Sequence, residues 1–186
     1  MTLNKRYSKT AFLVLCGLFA ALITICSYIT IPLPFTPVPI NLGLLGVFLA
    51  GGLLGKKYGT ISVLVYIIMG AAGLPVFSGF QGGFGILAGP TGGFFLGYIA
   101  AAFIAGIVVD HSGSAESSRK LALYTTALSL GTIVCYIFGT LWFMFLMKTE
   151  LWPSLLACVF PFIPGDILKV IAGTILLNRL HPFKEL

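Results

Sequence analysis

The chain has 186 residues, of which 58% are hydrophobic and only 9% charged, and its mean hydropathy is +1.06. Soluble domains carry about 25% charged residues, so this composition excludes a soluble globular domain and requires apolar surface in contact with lipid. The net charge of +6 does not point to nucleic acid, because the basic residues stand in short clusters at the ends of apolar runs, which is the pattern of membrane topology.

Lys5, Arg6 and Lys9 precede an apolar run over 10–31. The run exceeds a signal-peptide core in length and no small-residue cleavage site follows it, so it predicts a first transmembrane helix over 9–30. Pro32, Pro34, Pro37 and Pro39 end that helix and predict an extended link over 31–39. A second helix is predicted over 40–55. Lys56 and Lys57 return the chain to the basic side, and a third helix follows over 58–72.

From Gly73 to Gly97 the chain is uncharged and dense in glycine, with Phe77, Phe80 and Phe84 interleaved. Gly and Pro at that density exclude one regular helix. Irregular backbone at membrane depth is tolerated only where it is buried in protein or lines a cavity, so this stretch predicts a re-entrant, ligand-lining loop. A fourth helix is predicted over 91–109. The segment 110–120, with His111, Glu116, Arg119 and Lys120, reads as an exposed loop. A fifth helix is predicted over 121–147, then a break over 148–153. The apolar stretch 154–162 leads into a bend at Pro161, Pro164 and Gly165, and a sixth helix runs to 180. Alternation of polar and apolar residues is absent, which excludes a transmembrane barrel. The fold class read from the sequence is an all-α integral membrane protein, a single domain over 1–186, with six transmembrane helices and irregular outer loops that line a ligand site.

Nine of the eleven Lys and Arg fall on one side of this six-pass arrangement, and Lys148 and Lys169 are the exceptions. The positive-inside rule then places both termini in the cytoplasm of a multi-pass cell-membrane protein, with the connections 31–39, 73–90 and 148–161 outside. These outer connections are apolar and rich in Pro, Gly and aromatic residues, as a cover over a pocket would be. Cys16, Cys26, Cys135 and Cys158 all lie in apolar runs without a CxxC spacing, and read as small apolar fillers rather than a disulfide framework or a metal site.

Asp166 and Lys169 are the acid and base set deep inside a predicted span. A spacing of three puts them on one helix face. Counting back from Leu180, Asp166 stands about 21 Å and Lys169 about 16 Å above the inner helix end. A charge at the bilayer centre costs about 2.5–3.5 kcal/mol on insertion scales, so such residues mark a function by default. Pro164 and Gly165 place a helix N-terminus beside Asp166, where an anion is favoured. Gly93, Gly97, Ala101 and Ala105 form a stripe of small residues that predicts close helix packing. No phosphate loop, zinc-protease motif or catalytic triad is present. The sequence therefore gives no catalytic residue, no metal site and no cofactor; if the chain moves a solute uphill, another chain supplies the ATP.

Four motifs in order carry a family resemblance. They are Phe35-Thr36-Pro37-Val38-Pro39-Ile40; Gly73-Leu74-Pro75-Val76-Phe77 with Gly79, Phe80, Gly82 and Gly83; Gly89-Pro90-Thr91-Gly92-Gly93 with Gly97 and Tyr98; and Pro164-Gly165-Asp166-Ile167-Leu168-Lys169. Across nearly its whole length the chain resembles the BioY family, the biotin-binding S components of energy-coupling factor (ECF) vitamin transporters. Gly43 is a departure, because many relatives have glutamine after the Pro-Val-Pro segment, and no polar role is expected from that position here. The resemblance implies a substrate-binding membrane subunit that works with a transmembrane coupling protein and two cytoplasmic ATPases. It implies that the small residues Cys16, Gly17, Ala20 and Ala21 of the first helix face the coupling protein. It also implies biotin as ligand. Asp166 then accepts from the ureido N–H groups, and Lys169 or the Gly-rich loop takes the carboxylate. Val38, Phe77, Phe80, Tyr98 and Trp142 suit the ring and tail. Gly79, Gln81, Gly82, Gly83, Thr91 and Gly92 complete the expected binding set. Two arrangements fit the one-turn spacing of Asp166 and Lys169: either the side chains diverge to opposite ends of biotin, or both read the ureido ring. The first is the reading adopted from the sequence. Two alternatives stand beside it: an S component for thiamine or riboflavin, and a stand-alone proton-coupled carrier or channel using Asp166.

Overall fold

The computed structural model describes residues 9–111 and 117–180. Lys5, Arg6 and Lys184, among the basic residues that orient the chain, lie outside the described residues, as do Glu116 and the centre of the predicted 110–120 loop.

Helix α1 spans Lys9–Tyr28, two residues short of its predicted end. The proline-rich link does not run extended. Strand β1 (Thr30–Ile31) pairs antiparallel with β2 (Ile40–Asn41), Thr30 opposite Asn41. The prolines, which have no N–H to give a ladder, occupy the turn between them, and the residues with both donor and acceptor form the pairing.

Helix α2 covers Gly43–Ala71, where the sequence predicts two helices. Its continuity is nominal. Gly55 has φ 77° and ψ 176°, a backbone region open essentially to glycine alone. A Cβ built on Gly59 would lie 2.5 Å from the Cα of Gly51. In a straight helix those residues would be about 12 Å apart. The chain therefore reverses at Gly55 and its two limbs, 43–54 and 56–71, pack on each other. The break falls one residue before the predicted Lys56–Lys57 pair.

A short helix, α3 (Phe84–Leu87), interrupts the Gly/Phe stretch. Helix α4 covers Gly92–His111 and takes in His111, which the sequence places in the 110–120 loop. Helix α5 runs Ser117–Met147 and starts four residues early, so Arg119 and Lys120 belong to its first turn rather than to a loop. The predicted break over 148–153 is shorter, because α6 already begins at Leu151 (Leu151–Cys158). Helix α7 covers Ile163–Arg179 and meets α6 at 52°. Among the described residues, α1, α2, α4 and α5 are long and apolar enough to cross a membrane, and the bent α6–α7 pair makes a fifth when taken as one span.

Helix α4 is wedged between α2 and α5, and small residues make that possible. A Cβ on Gly97 would lie 2.7 Å from the Cα of Cys135, and one on Gly93 would overlap the Phe138 carbonyl. On the other face, a Cβ on Gly51 would overlap the Ala102 carbonyl, and one on Gly106 the backbone of Lys56. The predicted small-residue stripe is thus spent on internal packing. Large apolar side chains point outward instead: Leu13, Val14 and Leu18 on α1, Ile133 and Leu141 on α5, Leu168 and Ile171 on α7. Such bands exceed what a water-soluble surface carries, and lipid is their natural solvent.

Candidate functional site

Helix α7 starts at Ile163 with Pro164 in its first turn, where a missing N–H costs nothing, and Asp166 follows in the same turn. The helix N-terminus favours a carboxylate there. Asp166 and Lys169 are each 5% exposed, while Ile167 and Leu168 between them face outward at 54% and 68%. The one-turn spacing thus turns both charges inward. The side chains converge: Lys169 Nζ donates to Asp166 Oδ1 at 2.6 Å. The other oxygen, Oδ2, accepts the hydroxyl of Tyr136 from α5. Divergence of the two charges toward opposite ends of a ligand, the arrangement adopted from the sequence, is not what the fold produces. The carboxylate in this first turn is thus engaged by Lys169 and Tyr136 rather than by the helix-start amides.

This triad stands in the wall of a cavity of about 420 Å³, within the 300–1,000 Å³ of small-molecule pockets. Tyr98, Phe95 and Phe94 of α4, Tyr66 and Leu44 of α2, and Cys135 of α5 continue the wall. The aromatic side is interlocked. Phe77 meets Tyr66 edge-on with centroids 5.5 Å apart and lies 4.5 Å from Phe95. A Cβ on Gly70 would overlap the Phe77 ring, so glycine at 70 is what admits Phe77 to the wall. Asn41 ties three elements together at the rim. Its Oδ1 accepts the Gly43 N–H at 2.8 Å and the Tyr98 hydroxyl at 3.3 Å, and its Nδ2 donates to Ser78 Oγ at 2.7 Å.

Of the residues expected from the sequence, Val38, Phe77, Gly79, Gln81, Thr91 and Tyr98 line this cavity with Asp166 and Lys169. Phe80, Gly82, Gly83 and Gly92 do not. Phe80 has φ 57°, which turns its ring outward. It is 68% exposed and packs at a tilt against Tyr28, ring centroids 4.2 Å apart. Gly82 lets the loop fold back on the Leu74 carbonyl, and Gly92 lets α4 begin against the Leu87 carbonyl. Gly83, at φ 101°, starts α3 while its N–H donates to the Gly70 carbonyl at 2.7 Å. Trp142 is likewise outside the wall; its indole N–H holds the Gly89 carbonyl at 2.9 Å. The connections 31–39 and 73–90 contribute to the cavity, whereas 148–161 contributes nothing to its lining and is mostly α6.

The first-helix set divides in two. Cys16 and Ala20 are buried inside the chain, and Cys16 Sγ donates to the Tyr58 carbonyl at 3.4 Å. Buried within the chain, they are not available to a partner. Gly17 and Ala21 remain on the open face.

Sequence reasoning missed Tyr136, Asn41, Tyr66 and Phe95. Tyr136 stands 30 residues from Asp166, so no local pattern links them. The usable signal was a phenol inside an apolar span, since a buried Tyr hydroxyl seeks a partner.

The chain matches the family model of the BioY family over residues 2–185. It is 36% identical to the biotin transporter BioY of Thermotoga maritima over 168 residues, covering 90% of this chain and 94% of that protein. It is 38% identical to the biotin transporter BioY of Rhodobacter capsulatus, covering 91% and 93%. Among solved structures, it superposes on the S-component for biotin from an ECF-type ABC transporter with a TM-score of 0.83, at 33% identity and with 100% and 98% of the two chains covered. A crystal structure of FolT bound with folic acid aligns with a TM-score of 0.64 at 18% identity over 91% and 93% of the chains, a likeness of fold alone.

Proposed function

We propose that the chain, which belongs to the BioY family, is the biotin-binding S component of an ECF-type transporter and not an enzyme. It is a multi-pass membrane protein. The observation that carries the site assignment is the buried Asp166–Lys169 pair, with Tyr136, in the wall of a cavity otherwise made mainly of aromatic and aliphatic side chains.

The pair supports one orientation of biotin. Oδ1 and Nζ lie 2.6 Å apart, an acceptor beside a donor. A cyclic urea presents an N–H beside a C=O along one edge, the complementary arrangement. A ligand carboxylate at Lys169 would instead sit against the Asp166 charge in a low-dielectric site, which is repulsive. Both residues therefore read the ureido ring, and the carboxylate is held at the other end by the loop residues Ser78, Gln81 and Thr91. The thiophane ring rests between Phe77, Phe95 and Tyr98. Val38 and Gly79 complete the contact set.

The six-pass topology follows if the two limbs of α2 each count as a span beside α1, α4, α5 and the α6–α7 pair. With the positive-inside rule, both termini are cytoplasmic in the cell membrane and the connections 31–39 and 73–90 are outside. A transmembrane coupling protein and two ATPases supply the energy, and the open Gly17–Ala21 face of α1 is the surface offered to the coupling protein.

Calorimetric titration of the purified protein with biotin tests this reading. Saturable binding is expected, and Asp166→Asn weakens it by more than ~1.4 kcal/mol, about tenfold. Absence of saturable heat from the wild-type protein overturns the assignment.

A further inference from the structure

Asp166 is held from two elements at once. Lys169, on the same helix, takes Oδ1. Tyr136, on α5, takes Oδ2 and itself lines the cavity. A carboxylate on one helix with a single partner on that helix keeps freedom to rotate about its terminal bond. A second donor from a neighbouring helix removes that freedom, because the two oxygens are then pinned in directions set by two different backbones. Each oxygen has one lone-pair direction engaged by protein and a second that no donor among the described residues is shown to take, and Asp166 lines the cavity. Toward a ligand in the cavity, Asp166 is then acceptor only. Tyr136 is oriented so that its O–H is consumed by Asp166 and is not offered to the ligand as a donor.

We propose that Tyr136 is the positioning and specificity residue of the site. By donating to Asp166 Oδ2 it fixes the carboxylate as an acceptor aimed into the cavity, so that the site selects a ligand head bearing N–H groups. This rests on the reading of the chain as a biotin-binding component. A site built to pair a ligand N–H rejects an analogue that lacks it far more strongly than an apolar pocket rejects a change of shape. That selectivity depends on the acceptor being held still, and in this fold Tyr136 holds it.

The test is a set of titrations on the full-length protein in detergent. Wild type and Tyr136→Phe are each titrated with biotin, with desthiobiotin, which keeps both ureido N–H groups but lacks the sulfur ring, and with biotin methylated at both ureido nitrogens. Tyr136→Phe is expected to weaken biotin and desthiobiotin by the same factor, about tenfold, as for loss of a hydrogen bond to a charged group. It is expected to weaken the N-methylated analogue by no more than about twofold, since the bond whose geometry Tyr136 controls is already missing there. The loss then tracks the N–H groups and not the ring. A loss of less than twofold for biotin, or an equal loss for all three ligands, overturns the proposal and leaves Tyr136 as wall. Tyr136→Leu, also without a donor, carries the same comparison if the Phe variant does not fold. Failure of wild type to bind biotin is a separate outcome, and it removes the functional reading itself.

Discussion

Asp166 and Lys169 are two charges taken out of water, and their mutual bond does not by itself stabilise the fold. Desolvation of a buried pair is commonly as large as the attraction it gains, whereas removing one partner leaves the other charge stranded at a cost of about 3–5 kcal/mol. Lys169→Met is therefore expected to destabilise the protein by roughly that amount. Joint replacement, Asp166→Leu with Lys169→Met, is expected to recover most of that loss while abolishing biotin binding. Thermal unfolding in detergent and titration separate the two effects. A double variant as unstable as the single one would mean that the loss does not come from the stranded Asp166 charge. The three-residue spacing made this pair legible in the sequence. The third member was not legible, because Tyr136 reaches Asp166 only through the packing of α5 on α7.

At the scale of elements, two glycines decide geometry that propensity does not reveal. Gly55 reverses α2 in a conformation closed to other residues. Gly55→Ala is expected to cost about 1–3 kcal/mol of strain, read as a lowered unfolding temperature; an unchanged temperature would show that the reversal tolerates a side chain. Gly70 stands under the Phe77 ring. Gly70→Ala is expected to push Phe77 into the cavity that it lines, and over-packing of this kind costs about 1–3 kcal/mol. Biotin affinity falls in that variant, and Phe77→Leu in the same background restores part of it. The breaks themselves were visible in the sequence as prolines, glycines and lysine pairs. Their geometry was not. The proline link closes into a two-stranded turn, and the limbs of α2 fold together, because each needs a partner surface from elsewhere in the chain.

At the scale of the molecule, the outward bands of Leu, Ile and Val and the inward charges make sense only with lipid around the helices. The proposed topology has a direct check. In a protein whose four cysteines, Cys16, Cys26, Cys135 and Cys158, are replaced by alanine, Phe35→Cys is expected to react with an impermeant maleimide added to intact cells. Lys57→Cys is expected to react only after permeabilisation. Both positions are exposed in the structure. Labelling of both from outside would remove the six-pass arrangement.

The amino-acid sequence alone determined the lipid-facing character, the places where helices must stop, and the presence of an acid and a base on one buried helix face. These are local properties, fixed by composition and by spacing within a few residues. The tertiary structure alone decided that the two charges converge, that Tyr136 joins them, and that Phe80 and Trp142 stand outside the wall. It also decided that Cys16 and Ala20 turn inward while Gly17 and Ala21 stay open. Each of these depends on close approach between residues tens of positions apart. That approach is set by which small side chains let which backbones meet, and no single stretch of the chain contains it.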